Sequence, residues 1–224
     1  MSHTIGVRQA QKQKTRQALL DAGLRLLAEQ SLSSLGLREV TRVVGVAPAA
    51  FYRHFRDIPD LGVALVEESL GSLHVVIRAI LAEQPGAEER IDRTVAVVEQ
   101  YVRENPAHVR FIARERHGGV RAVRKAIAAE LARFAAEVAA GLREQPVSDA
   151  WSDDDVLMLA EMYVDHLVMT ASAILDAADV VDAADAADAA DAADDDGAAA
   201  CDRVAERARR QLRLISLGRM HWTD

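Results

Sequence analysis

The chain has 224 residues, and half of them are hydrophobic, which provides enough apolar surface for a buried core and excludes disorder over most of the chain. Its net charge of −8 at pH 7 excludes a protein that is uniformly basic. The single cysteine, Cys201, excludes an intrachain disulfide.

The charge is divided unevenly along the chain. Residues 1–56 carry nine Lys or Arg and three acidic residues, a net charge of +6, which leaves −14 for residues 57–224. A basic first quarter can bind phosphate while an acidic remainder repels it. No apolar signal segment follows the polar first 16 residues, and no long apolar run is evident, so a cytoplasmic protein without a membrane association is expected.

Helical periodicity begins close to the N-terminus. Apolar residues three and four apart predict an amphipathic helix over 12–30 and a second helix over 37–44. Gly45 suits the left-handed conformation of a tight turn. Pro48 suits the first turn of a third helix that runs to about Phe55. The sequence therefore predicts three helices joined by short turns.

Six more helices are predicted after Asp57, which can cap the fourth. Breaks between them are predicted at Pro85-Gly86, Asn105-Pro106, Gly118-Gly119 and residues 146–152. Ser152 can cap an eighth helix over about 153–176, and a ninth is predicted over about 199–217. Both long helices carry apolar stripes, and we expect these to pair with a second copy of the chain as a four-helix interface.

An acidic low-complexity tract separates the last two helices. Asp recurs every third residue from Asp176 to Asp194, mostly spaced by Ala-Ala. A period of three drifts by about 60° per repeat around an α-helix, so no packing face results. An acidic solvated loop or a frayed helical extension is predicted over about 176–197. The repeat does not provide the caged oxygen ligands of a calcium site.

The segment 35–62 has the pattern expected of a DNA-binding helix-turn-helix. It predicts a short helix, a glycine turn and a short helix with small and hydrogen-bonding side chains, as is required to place a helix in the major groove. Phe51 and Phe55, four residues apart, are predicted to point inward. The candidate DNA contacts are Lys14, Arg16, Arg38, Pro48, Ala49, Ala50, Tyr52, Arg53, His54 and Arg56. The first three residues of the third helix offer no bidentate group, so methyl contacts and DNA shape would contribute to readout.

These motifs resemble the TetR family of bacterial regulators. The matching residues are Thr15-Arg16 with Leu20 and Ala22, Leu37-Arg38-Glu39-Val40, Gly45-Val46-Ala47, and Phe51-Tyr52-Arg53-His54-Phe55. The resemblance implies an all-α, TetR-like fold, with a three-helix DNA-binding domain over 1–56 and a six-helix effector-binding and dimerisation domain over 57–224. It also implies a homodimer on a palindromic duplex operator and a hydrophobic small-molecule effector.

Two positions depart from the family pattern. Ile58 stands where members usually have a lysine, so the phosphate contact there would pass to Arg56 or to backbone N–H groups. Gly36 replaces the usual Ser or Thr cap of the second helix, and a glycine cap is only slightly weaker.

Within the family, the chain looks most like repressors of unsaturated fatty-acid synthesis and desaturation that respond to long-chain acyl-CoA. The similar segments are FYRHFRDIPDLG (51–62), FIARERHG (111–118) and LRLISLGRMHW (212–222). The candidate ligand-binding residues are Phe111, Arg110, Arg114, Arg116, Met162, His166 and Met169. The arginines would receive an anionic head group, and the other four residues would line an apolar channel.

More ordinary interpretations of these residues remain open. His166 could be a core histidine, and residues 114–116 could form a solvated ion-pair face. The chain carries no HExxH, GxSxG, GxxxxGK[ST] or GxGxxG motif, so no enzyme, catalytic residue, metal or cofactor is predicted. An interaction protein that does not bind DNA, or a helical bundle with an enzymatic activity, are the alternatives to a regulator.

Overall fold

The chain is all-helical over the residues that a computed structural model describes, which are 2–82, 86–145, 151–185 and 193–221, and no strand occurs in these ranges. The helices are α1 (Ser2–Leu26), α2 (Leu37–Val44), α3 (Pro48–Phe51), α4 (Ile58–Ala82), α5 (Ala87–Glu104), α6 (Pro106–Glu115), α7 (Arg121–Arg143), α8 (Asp153–Asp185) and α9 (Ala193–Met220). The predicted all-α class is confirmed.

Short-range interactions in the structure explain several of the predicted helix ends. Gly45 has φ 74°, the left-handed conformation that closes α2. Pro48 lies in the first turn of α3. The Asp60 N–H donates to Asp57 Oδ1 at 2.8 Å, and the Asp155 N–H donates to Ser152 Oγ at 3.1 Å. These caps satisfy N–H groups that have no partner within their own helix, so the predicted starts of α4 and α8 are confirmed.

The chain divides into two compact units that do not follow chain order. Unit 1 contains Met1–Leu70 and Arg110–Ala128, and unit 2 contains Gly71–Val109 and Ala129–Asp224. The domains predicted from the sequence, 1–56 and 57–224, are each one continuous segment, whereas the two units are not. Unit 1 is larger than the first of these because it includes the first half of α4, most of α6 and the start of α7.

Close packing around α4 explains why unit 1 recruits these later segments. Leu61 and Leu65 are fully buried, as are Leu32 and Val123 to within 1%. Gly62 lies so near its neighbours that a Cβ there would be 2.5 Å from Leu32 Cδ2 and 2.7 Å from Val123 Cγ2. A larger residue at 62 would therefore separate α4 from the segments that it joins.

Unit 2 has a core formed by α5, α8 and α9. One cluster contains Ile91, Val95, Ala205, Ala208 and Leu212, with Tyr163 and Leu167 packed against it. A second contains Val98, Val102, Val109, Ile174 and Leu175. Ion pairs reinforce this packing, since Arg209 donates to Glu99 at 2.7 Å and Arg213 to Asp92 at 3.0 Å. The apolar stripe of α8 is thus covered within its own chain, which corrects the expectation that the stripe itself needs a second copy.

Several helix bounds differ from those predicted. α1 begins at Ser2 instead of about residue 12 and ends at Leu26 instead of about 30. The acidic tract was predicted as a loop or a frayed helix over 176–197, and residues 176–185 and 193–197 are helical. Alanine has the highest helix propensity, so its repeats favour helix even without a packing face. Residues 186–192 of the tract lie outside the described residues.

Within the described ranges, one stretch of α8, Asp153–Val180, is long and apolar enough to cross a membrane by length and composition. Core helices of globular proteins pass the same test. One side of α8 packs on α5 and α9, and 28% of this stretch is buried.

Candidate nucleic-acid interface

The recognition segment, residues 45–56, is oriented by its two phenylalanines. Phe51 is fully buried and Phe55 is 3% exposed, with their ring centroids 5.5 Å apart. Because these two side chains point into unit 1, the residues between them point outward. Tyr52 is 63% exposed, and its ring meets Phe51 edge-on with centroids 6.0 Å apart. The predicted inward role of the phenylalanines is confirmed.

Most of the candidate DNA contacts share one property, which is exposure to solvent in unit 1. The exposed members are Lys14, Arg16, Arg38, Pro48, Ala49, Tyr52, Arg53 and Arg56. Ala50 and His54 are half-buried. An exposed cation and an exposed phenol are the groups that hold phosphate oxygens. The contacts themselves stay predictions, because the structure contains no nucleic acid.

His54 is neutral at pH 7 and lies among cations. Its Nδ1 is buried and has no hydrogen-bond partner in the described part of the chain. Burial lowers the pKa of the imidazole below 6.5, and the charges of Lys12, Arg16 and Arg53 lower it further. The sequence did not place Lys12 in the site, although its charge could have suggested it. His54 can therefore accept a proton when anionic groups approach.

Two arginines of the interface are held in place by local partners. The Arg16 guanidinium carbon lies 5.2 Å from the centroid of the Phe55 ring, which is a cation–π distance. The Arg56 Nη2 donates to Asp60 Oδ1 at 2.8 Å, and the Arg56 backbone N–H donates to Asp60 Oδ2 at 3.0 Å. These bonds hold the pKa of the Asp60 carboxyl below its usual value. Asp60 would therefore compete with a phosphate group for Arg56.

The candidate ligand residues of unit 1 are not arranged as an open cationic mouth. Arg114 Nη1 donates to the carbonyls of Leu27 and Gln30 at 2.8 and 2.9 Å, and its Nη2 donates to Ala28 at 3.3 Å. The guanidinium is thus used by the segment that follows α1, which the sequence could not indicate. Phe111 is buried, while Arg110 and Arg116 are half-buried and have interactions of their own.

The candidate ligand residues of unit 2 all lie on α8. Met162 is 49% exposed and Met169 is 66% exposed, so neither lines an interior channel of unit 2, contrary to expectation. They lie off the apolar stripe that faces α5 and α9. His166 is half-buried, and burial lowers the pKa of its imidazole. Its Nε2 is buried without a hydrogen-bond partner in the described residues. The burial favours the ordinary interpretation of His166 as a packed histidine.

Among the described residues, no three His, Cys, Asp or Glu side chains are placed to hold a metal ion.

The interface coincides with a family match. The model of bacterial regulatory proteins of the tetR family matches residues 19–65, which run from the buried part of α1 into α4. This segment contains the whole recognition segment.

Solved structures with a similar fold cover most of the chain. The fatty acid degradation regulator FadR from Bacillus halodurans is 16% identical, with a TM-score of 0.63 over 87% of this chain and 94% of that chain. FadR from Bacillus subtilis in complex with stearoyl-CoA is 16% identical, with a TM-score of 0.62 over 86% and 96%. Reduced E. coli NemR is 18% identical, with a TM-score of 0.59 over 90% and 96%. The chain therefore has a TetR-like fold, and its residues 19–65 match the model of bacterial regulatory proteins of the tetR family.

Proposed function

We propose that the protein is a ligand-responsive repressor that binds a palindromic operator as a homodimer and controls genes of fatty-acid or lipid metabolism. The observation that carries the DNA-binding part is the recognition segment, where Tyr52 and Arg53 are exposed between two buried phenylalanines. Cations at Lys12 and Arg16 surround the same place. This arrangement can hold the phosphates on both sides of a groove.

Selection from a random-sequence duplex library tests the DNA-binding part. The bound sequences are expected to share an imperfect palindrome, with half-sites about 34–36 Å apart or a multiple of that distance. Footprinting should then protect both halves. Protection of one asymmetric half-site, or the absence of any selected sequence, would contradict the proposal.

The proposed homodimer rests on apolar side chains that α8 and α9 leave exposed in the single chain. These are Leu157, Met158, Met162 and Met169 on α8, and Leu214, Leu217 and Met220 on α9. The exposed charges beside them are complementary, with Glu161 on α8 and three arginines, Arg203, Arg207 and Arg210, on α9. In a two-fold interface, α8 of each copy can face α9 of the other, so both the apolar and the charged groups gain partners.

Sedimentation velocity at micromolar concentration tests this dimer. A species of twice the chain mass is expected, and it should persist at high salt because apolar burial is not screened. A monomer under these conditions would contradict the dimer while leaving the DNA-binding segment untouched.

Long-chain acyl-CoA is the proposed effector. The first supporting observation is the resemblance of residues 51–62, 111–118 and 212–222 to acyl-CoA-responsive repressors. The second is the TetR-like fold, which is shared with a regulator that was solved with stearoyl-CoA. The third is the apolar character of the helices that follow residue 57. In this model the acyl-CoA shifts the population of a DNA-competent conformation.

A titration of the operator complex tests the effector. Oleoyl-CoA and stearoyl-CoA are expected to change operator affinity by about 5- to 150-fold, the usual range of allosteric coupling. Free oleate and free coenzyme A are the matched controls, and they should do less. Native mass spectrometry of protein purified from its host would show a co-purified acyl-CoA directly.

The alternative effector is another hydrophobic small molecule, with efflux or catabolic genes under control. Arg114 favours this alternative, because the guanidinium expected to receive an anionic head group donates to three backbone carbonyls. Operator affinity that is insensitive to saturating acyl-CoA would exclude acyl-CoA as the effector and leave this alternative.

A further inference from the structure

The end of α6 holds the connection between α1 and α2, residues 27–36, through a buried carboxylate. Glu115 is 1% exposed, and its Oε1 accepts the backbone N–H of Leu32 at 2.8 Å. Its Oε2 is also buried, without a hydrogen-bond partner in the described residues. A Cβ at Gly118 would lie 2.2 Å from this Oε2, so the position must be glycine for the carboxylate to fit. The carboxylate is therefore fixed by its surroundings at a point 83 residues from its partner.

Arg114 holds the same connection from its other side. Its three hydrogen bonds end on Leu27, Ala28 and Gln30, the carbonyls that follow the last turn of α1. A cation suits this place, because the carbonyl end of a helix carries partial negative charge. Two adjacent residues of opposite charge thus bind one short connection, the cation at its start and the carboxylate at Leu32.

The held connection leads to the recognition segment through packing and hydrogen bonds. The Gln30 side chain donates to Glu39 Oε1 on α2 at 3.1 Å. The Leu32 side chain occupies the space left open at Gly62 of α4. α2 then ends at Gly45, and the backbone N–H of Val46 donates to Thr41 O at 3.0 Å to set the turn into α3.

We propose that Arg114 and Glu115 are positioning residues for DNA reading, which fix α2 and α3 by way of residues 27–36. The proposal rests on the proposed operator binding and adds two residues that lie outside the recognition segment. A positioning role affects how well the correct sequence fits, whereas phosphate contacts hold any duplex. Loss of the two residues should therefore lower specificity before it lowers affinity for DNA in general.

The test compares two duplexes at a temperature where every variant is fully folded. One duplex is selected from a random library by the wild-type protein, and the other is a scrambled version of it. Glu115→Ala is expected to weaken binding of the selected duplex by about tenfold, because the Leu32 N–H loses its acceptor, and to leave the scrambled duplex within about twofold. Glu115→Gln should restore the selected affinity, because an amide oxygen still accepts that N–H.

Two further variants test whether the position of the Glu115 carboxylate matters, apart from its charge and from the folding of the protein. Gly118→Ala displaces the carboxylate without removing it, and it should reproduce the loss of specificity even if Glu115→Ala does not fold. Arg114→Ala should lower the selected-to-scrambled ratio about threefold, whereas Arg121→Ala, which removes an exposed cation from the start of α7, should leave the ratio unchanged. A ratio within twofold of wild type in both Glu115→Ala and Gly118→Ala would overturn the proposal.

Amide hydrogen exchange without DNA tests the same inference if no duplex is selected. In Glu115→Ala, exchange over residues 37–51 is expected to rise about tenfold, while residues 129–143 of α7 exchange as in wild type. Unchanged exchange over 37–51 would overturn the positioning role. Failure of library selection together with the expected exchange would reject operator binding alone.

Discussion

The proposed DNA-binding surface of unit 1 and the exposed side of α8 and α9 in unit 2 carry different kinds of side chain. Unit 1 exposes Arg16, Tyr52 and Arg53 around a neutral His54. The two long helices of unit 2 expose methionines and leucines, of which Met169 and Leu214 are 66% and 70% exposed. The first set suits phosphate and base edges, while the second suits a dry protein surface.

This contrast predicts opposite responses to salt. DNA binding by cations weakens as salt rises, because bound phosphates release their counterions. Association through methionine and leucine side chains is insensitive to salt or strengthened by it. Four variants can break or sharpen the comparison, and they follow in order of their expected effect on operator affinity.

Met162→Glu should have the largest effect. Burying an added carboxylate among the methionines and leucines of the interface is costly, so the protein should sediment as a monomer and lose about a hundredfold in operator affinity, since two linked DNA-binding segments bind far more tightly than one. Val7→Glu, at an exposed apolar residue of α1, is the control for sedimentation. A dimeric Met162→Glu protein would place the interface elsewhere.

Arg53→Ala should follow, with a loss of about tenfold in operator affinity. If Arg53 neutralises one phosphate, the slope of log K against log salt should become shallower by about 0.9. Arg121→Ala removes an exposed arginine from α7 and provides the matched control, with no change of slope expected. Equal slopes for Arg53→Ala and wild type would show that Arg53 contacts no phosphate.

His54 should give operator binding a smaller dependence on pH. Its pKa is lowered in the free protein by burial and by Lys12, Arg16 and Arg53. DNA phosphates would raise that pKa, so binding takes up a proton and operator affinity should rise a few-fold from pH 7.5 to 5.5.

The same lowered pKa has the opposite effect on folding. The unfolded chain binds the proton more readily, so His54 contributes to a loss of stability as pH falls below about 6.5. His54→Gln should flatten both profiles, which fluorescence anisotropy and thermal unfolding can measure. A pH profile of operator affinity that His54→Gln leaves intact would assign the dependence to another group.

Ser152→Ala should leave operator affinity unchanged and affect stability alone. The Ser152 hydroxyl caps α8 in unit 2, and loss of such a cap costs about 1 kcal/mol of unfolding free energy. Chemical denaturation measures the loss. A matching fall in operator affinity would show that the two surfaces are not separable in this way.

Features set by near neighbours in the chain could be predicted from the sequence. Gly45, Pro48 and Asp57 define helix ends through interactions that reach at most four residues, so the helix-turn-helix and the start of α4 follow from the sequence. The inward direction of Phe51 and Phe55 follows from their spacing of four. This local character explains why the exposed residues of the recognition segment could be identified without a structure, while their contacts with DNA stay predictions.

Only the tertiary structure decided which partner each helix face and each long side chain has. The periodicity of α8 identified its apolar stripe, but the covering surface is α5 and α9 of the same chain, and the exposed Met162 and Met169 lie off that stripe. Arg114 shares a helix face with Arg110, which suggested an anion site, yet its acceptors lie 84 to 87 residues away. A sequence pattern indicates which side of a helix avoids water, whereas the choice of partner depends on packing between segments that are far apart in the chain.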